Sequence, residues 1–265
     1  MRRLDLPGTD LSVSRFVFGT ASLHHVGRLP LQTAHLEAAA VAGFTHFDTA
    51  PLYGFGGAES AFGAAFGSDS AFTVATKVGL YPPGGISRGH TTMLVRKAGG
   101  KLWPALSRAV VDLSVARAQR SFEDSLRRLR RGHVDLLLLH DPAPGLLRTE
   151  EWQRWLVAEK DRIRHVGVAG PAEMVAPFLK DGGALAQVIQ VRDGLQTREA
   201  DIVTRLGRSL QLTYGYFTSG AGGRCGAQIL TGALARNPSG AIVVSTRSQT
   251  RLSEFGRAAA QEAPC

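Results

Sequence analysis

Short runs of consecutive apolar residues alternate along the chain with longer segments whose apolar positions recur at helical spacing, and the alternation persists from end to end. The short runs are 14–20 (SRFVFGT), 43–48 (GFTHFD), 71–77 (AFTVATK), 133–140 (HVDLLLLH), 163–170 (IRHVGVAG), 186–191 (AQVIQV), 210–217 (LQLTYGYF) and 241–246 (AIVVST). Several are apolar on successive rather than alternate residues, as strands covered on both faces are. The spacing predicts helices at 32–42, 57–66, 114–131, 150–160, 172–180, 198–207, 225–236 and 249–260. Eight strand–helix pairs in 265 residues predict one α/β domain over 1–265, a (β/α)8 TIM barrel, with a doubly wound open sheet as the rival.

One connection, 78–113, is out of proportion, with three prolines and no clear period. A connection of that length in a compact domain is expected to be a lid or binding loop, or else disordered. It offers Tyr81 and Trp103 either as pocket linings or as packing.

A composition of 44% hydrophobic and 20% charged residues suits a large core and excludes a disordered or fibrous chain. The net charge of +9 comes mostly from arginine, and residues 127–133 (RRLRRGH) concentrate it. No aromatic side chains interleave with that block, so it reads as a solvated helix face rather than a nucleic-acid patch. The excess positive charge still favours anionic ligands. Two cysteines, Cys225 and Cys265, give neither a disulfide framework nor metal-ligand spacing. Asp5 and Asp10 interrupt the N-terminus before a signal-peptide core can form, and no apolar run approaches the ~20 residues of a membrane span. The expectation is a soluble cytoplasmic protein with no nucleic-acid, membrane or metal partner, and nothing in the sequence marks its oligomeric state.

In a barrel of this kind, chemistry sits at the C-terminal ends of the strands. The polar residues there are Thr20, Asp48, Lys77, His140, Gln190, Tyr214 and Thr246, with Tyr53 just past the second strand. Alone, His140 could be a satisfied structural histidine and Lys77 a side chain reaching solvent; with Asp48 and Tyr53 they suggest a working group. A phenol of pKa near 10 donates a proton to a carbonyl better as its pKa falls toward neutrality. An ammonium ~4 Å from the phenolate oxygen is worth roughly 4 kcal/mol at an effective dielectric near 20, nominally about 3 pK units before desolvation. Lys77 is therefore expected to lower the pKa of Tyr53, Asp48 to keep Lys77 charged and oriented, and His140 to fix the carbonyl. A lysine at a strand end can also form an imine, so a Schiff-base aldolase is a second reading, opposed by the acid beside it.

At these residues the sequence resembles the aldo-keto reductase superfamily. Residues 47–66 (FDTAPLYGFGGAESAFGAAF) resemble its signature, VATKVG the segment supplying its lysine, and SFEDSLRRLRRGHVDLLLLHDP the helix and strand supplying its histidine. The resemblance implies a catalytic tetrad of Asp48, Tyr53, Lys77 and His140, with Tyr53 as the acid. VVSTRSQTRLSEF resembles the adenosine-phosphate segment, which puts Arg247 and Arg251 at the 2′-phosphate of NADP(H). Gln190 then matches a glutamine on the nicotinamide carboxamide and Tyr214 a tyrosine stacked on the ring. The full cofactor set so implied is Gly19, Thr20, Asp48, Gln190, Tyr214, Ser245, Thr246, Arg247, Arg251 and Glu254, for NADP(H) in preference to NAD(H). The activity implied is hydride transfer between NADP(H) and an aldehyde, ketone or sugar, in a chain closest to the aldose dehydrogenase and pyridoxal-reducing branch.

The chain departs from that pattern in places. Ala169 and Gly170 stand where the family commonly has a serine and an asparagine on the carboxamide, TYGYF replaces Tyr-Ser-Pro-Leu, and Phe255 replaces an adenine-contacting asparagine. These changes motivate a further reading, an NADP(H)-binding sensor or subunit with little turnover. The glycines after Tyr53 do not make a dinucleotide fingerprint, because position 59 is Glu59; Gly54, Gly56 and Gly57 are expected to form the turn that presents Tyr53.

Overall fold

The computed structural model describes residues 1–85, 108–180, 183–218 and 225–261; Trp103 and Cys265 lie outside them. Strands β1 (Arg3–Asp5) and β2 (Ser12–Ser14) form an antiparallel hairpin ahead of the barrel. The barrel itself consists of β3 (Phe16–Gly19), β4 (His46–Asp48), β5 (Thr73–Val78), β8 (Val134–His140), β9 (Ile163–Gly170), β10 (Val188–Arg192), β11 (Leu212–Tyr214) and β12 (Ala241–Val244). All eight pair in parallel and close on themselves, β12 against β3, which decides for the (β/α)8 barrel over the open sheet. Around it run α1 (Leu29–Val41), α2 (Gly57–Ala65), α3 (Val115–Leu129), α4 (Thr149–Ala158), α5 (Ala172–Lys180), α6 (Asp201–Arg205), α7 (Gly226–Arg236) and α8 (Gln249–Gln261). Among the described residues, no helix is long and apolar enough to cross a membrane.

The consecutive apolar residues resolve into two faces. In β8, Leu136 and Leu138 join Val17, Ala75, Ala169, Val188, Leu212 and Ala241 in one buried cluster, while Leu137 and Leu139 belong to the cluster shared with the helices. Residues two apart on a strand point the same way, so the first cluster is the barrel interior and the second its wall. Leu6, Leu11 and Val13 of the N-terminal hairpin segment pack into the interior cluster and close its lower end.

Several elements are shorter than their sequence patterns. The run 210–217 yields only Leu212–Tyr214, because Gly215 turns the chain at φ +103°. The helix expected at 198–207 contracts to Asp201–Arg205, between Arg198 (φ +48°) and Gly207 (φ +76°). The long connection contains a ribbon of β6 (Leu80–Tyr81) and β7 (Val110–Val111). Tyr81 is buried, with the Arg117 guanidinium 4.8 Å from its ring centroid; it packs and does not line the central cavity.

The arginine block is only partly a solvated face. Arg131 is buried and donates to the carbonyls of Gly67, Asp69 and Phe72, and Arg128 turns inward to Glu59. Glu59 is wholly buried, accepting 2.6 Å from Thr76 Oγ1 of β5 and 2.7 Å from Arg128 Nε, so it joins α2, the barrel wall and α3. Glu59→Gln keeps one acceptor and loses the charge facing Arg128. It is expected to cost about 2 kcal/mol in urea unfolding, and a variant of wild-type stability would show the contact to be idle.

Candidate active site

The next inward-pointing position on each strand, toward its C-terminal end, carries the site. Two residues beyond Val17, Ala75, Leu138, Val188, Leu212 and Ala241 stand Gly19, Lys77, His140, Gln190, Tyr214 and Val243, and all six line one cavity of about 290 Å³. Asp48 and Ala169 complete its floor, so every barrel strand contributes a residue. Strand register fixes their order, with Gly19 beside Asp48 and with His140, Ala169 and Gln190 in one row.

The acid at the end of β4 meets the lysine of β5. Lys77 Nζ donates to Asp48 Oδ1 at 2.6 Å and to the Thr49 carbonyl at 3.0 Å, and Lys77 and Asp48 are only 2% and 4% exposed. Burial lowers the Lys77 pKa from its usual value, and the Asp48 carboxylate opposes that shift. Tyr53 reaches the same place through a turn in which Gly54, Phe55 and Gly56 have φ of +58°, +55° and +89°. Two of those left-handed positions are glycine, which adopts them at no steric cost. Gly57 has ordinary helical torsions and opens α2, so it plays no part in the turn.

The Lys77 ammonium stands over the face of the Tyr53 ring, 4.8 Å from its centroid, and the His140 ring meets it edge-on at 5.9 Å. The expected lowering of the Tyr53 pKa does not occur. Desolvation pushes the phenol well above 10, and the carboxylates of Asp48 and Asp141 push it further. The cost of burying a phenolate between two carboxylates outweighs the one cation over the ring. Burial, assisted by the Lys77 charge, also holds His140 down at about 3, so its imidazole is neutral at physiological pH. His140 Nδ1 and Gln190 Oε1 are buried without a hydrogen-bond partner.

The remaining expected residues divide. Gly19 and Ser245 line the cavity, with Ser245 Oγ donating 2.7 Å to the Gly19 carbonyl; a Cβ at Gly19 would stand 2.8 Å from Ser245 Oγ. Thr20 and Thr246 are buried beside the cavity and do not line it. The Thr20 hydroxyl donates to the Asp48 carbonyl, while Thr246 Oγ1 accepts from the Ser248 N–H and its carbonyl meets His35 Nε2 at 2.8 Å. Arg247, Arg251 and Glu254 are exposed and away from the cavity, and neither arginine has an ion-pair partner among the described residues. Phe255 is buried against Phe16 and Phe44, a core residue.

Reading strand ends missed Asp141 and Phe217. Both line the cavity, Asp141 with φ of +46° immediately after His140. An aspartate directly after the last strand residue was the available signal.

The sequence profile of the aldo/keto reductase family matches residues 15–192, so Tyr214, Ser245 and the two terminal arginines lie beyond the matched part. A 6-dehydroglucose reductase of Agrobacterium fabrum is 30% identical over 177 residues, 64% of this chain and 54% of that relative, so the match spans about half the relative's length. Among solved structures, a glycerol dehydrogenase from Gluconobacter oxydans superposes with a TM-score of 0.72 at 21% identity, covering 99% of this chain and 91% of the other. An aldo-keto reductase from Klebsiella pneumoniae in complex with NADPH gives 0.64 at 20% identity, over 98% and 90%. With two thirds of its length inside the family profile, Asp48, Tyr53, Lys77, His140 and Gln190 of the cavity included, the chain belongs to the aldo/keto reductase family.

Proposed function

We propose that the protein is an oxidoreductase moving a hydride between NADP(H) and a small carbonyl or alcohol substrate, with Tyr53 as general acid and base. The observation that carries this reading is the buried Lys77–Asp48 pair beneath a protonated Tyr53. Gln190 Oε1, buried and unpartnered on the cavity wall, fits the N–H group of a nicotinamide carboxamide. Bound there, the cofactor supplies the hydride.

The chain supplies the proton. A phenol above pKa 10 remains loaded at neutral pH, and the alkoxide that forms on the substrate is nearly as basic as hydroxide, whose conjugate acid has a pKa of about 16. Transfer from Tyr53 to that oxygen is downhill even without a depressed phenol pKa. The Lys77 ammonium then faces the developing phenolate, and Asp48 offsets the cost of keeping that ammonium buried. Neutral His140 can donate one hydrogen bond to the substrate oxygen and orient it. An imine at Lys77 is disfavoured, because the hydrogen bonds to Asp48 and the Thr49 carbonyl both use its N–H donors.

The preference for NADP(H) is supported by Arg247 and Arg251, exposed cations at the start of α8 that suit a 2′-phosphate. A sugar or other carbonyl as substrate is supported by the name of the Agrobacterium relative. The sensor reading keeps one supporting observation, the lack of polar side chains at Ala169 and Gly170. Fluorescence titration with NADPH and NADH followed by a carbonyl panel separates the two. Tighter binding of NADPH by about tenfold, with cofactor oxidation on an aldehyde or sugar, is expected. Binding with no oxidation on any member of the panel would favour the sensor, and no binding would end both readings.

A further inference from the structure

Positions 169 and 170 offer no side chain to a ligand, yet the wall they form is flanked by two oxygen acceptors with nothing to accept. One is Gln190 Oε1, buried and without a partner, on the strand paired to Ala169. The other is the carboxylate of Asp141. Its backbone N–H donates 2.7 Å to the Ala169 carbonyl, and its left-handed φ swings the side chain across Gly170. A Cβ built at Gly170 would be 2.9 Å from Asp141 Oδ1 and 3.4 Å from its Cα, so the carboxylate occupies space that any larger residue at 170 would take.

No hydrogen bond or ion pair reaches the Asp141 carboxylate among the described residues. The nearest cations are engaged elsewhere, Lys77 with Asp48 and Thr49, Arg192 with Glu199. Burial raises the Asp141 pKa, as expected of an acid that lacks a donor. Both side chains line the same cavity, on either side of the small wall.

Two acceptors separated by a thin apolar wall suit a flat group that carries two donors on one atom. A primary amide nitrogen is such a group, with two N–H bonds in one plane. An anion would be repelled by Asp141, and a lone cation would leave Gln190 Oε1 without a directed donor. Resting on the dinucleotide reading above, we propose that Asp141 and Gln190 each accept one N–H of the nicotinamide carboxamide, Asp141 acting as a positioning residue through the space that Gly170 leaves open.

The test compares binding of NADP⁺ with binding of its 3-acetylpyridine analogue, which keeps the carbonyl oxygen but has no N–H, by isothermal titration calorimetry. Wild-type protein is expected to prefer NADP⁺, and loss of one charged acceptor in Asp141→Ala should reduce that preference about tenfold. Gly170→Ala leaves Asp141 in the chain but drives its carboxylate aside, and should reduce the preference similarly. This second variant keeps the question answerable if the first does not fold. A preference within about twofold of wild type in either folded variant, or none in the wild type, overturns the Asp141 assignment while leaving dinucleotide binding intact. A wild-type protein that binds neither compound overturns the dinucleotide reading and this assignment with it.

Discussion

Tyr53→Phe is expected to lower carbonyl reduction by about 10²- to 10⁴-fold while NADPH affinity stays within about twofold, because the proton-donating hydroxyl is removed and the ring is kept. The ring continues to face Lys77 and His140, so the cavity keeps its shape. The wild-type protein should show an unusual asymmetry with pH. Reduction consumes the phenol proton, and a pKa well above 10 keeps that proton in place, so the reduction rate should be flat from about pH 6 to 9. Oxidation needs the phenolate, whose fraction grows tenfold per pH unit below the pKa, so its rate should climb through the same range. His140 adds no limb near neutrality, since it is protonated only near pH 3. A Tyr53→Phe variant with full turnover, or a reduction rate that falls as pH rises toward 9, would remove Tyr53 as the proton donor.

Lys77→Met should be the most damaging single change to stability among the site residues. It leaves the Asp48 carboxylate buried without its cation and the Thr49 carbonyl without a donor, a loss of about 3–5 kcal/mol. Pairing it with Asp48→Leu removes the stranded charge, and urea unfolding of the double variant should recover most of that loss. Turnover should not recover, remaining at least about 10²-fold below wild type, because no ammonium faces the phenolate in either protein. A double variant no more stable than Lys77→Met would mean that charge burial is not the cause. One that turned over normally would mean that the ion pair serves the fold alone.

The barrel was legible because each interior strand had to be apolar on two faces, and the runs of consecutive apolar residues recorded that requirement directly. The β1–β2 hairpin was not, since three residues per strand are too few to carry a period. Asp48, Lys77 and His140 could be found from the sequence because each ends such a run, where alternation turns it inward. Thr20 and Thr246 each directly follow a cavity-lining residue, Gly19 and Ser245, so alternation turns them away from the cavity and they bond to backbone. The sign of the Tyr53 shift was beyond the sequence, because it depends on burial and on Asp141, a residue one step past the apolar run. Arg247 and Arg251 end no apolar run and lie beyond the stretch that the family profile matches, so periodicity alone did not single them out.

The plug of Leu6, Leu11 and Val13 has a kinetic consequence. With the lower end of the barrel sealed, everything that enters the cavity must pass through the same mouth and leave by it. Two molecules sharing one entrance cannot come and go independently once the inner one is covered. If the dinucleotide occupies the wall of Gln190 and Tyr214, the carbonyl compound must arrive second and depart first. Product inhibition should then be competitive between the two forms of the dinucleotide and not between the carbonyl compound and its alcohol. The packed interior and the hairpin beneath it, both behind the reacting groups, would in that way set the order of turnover.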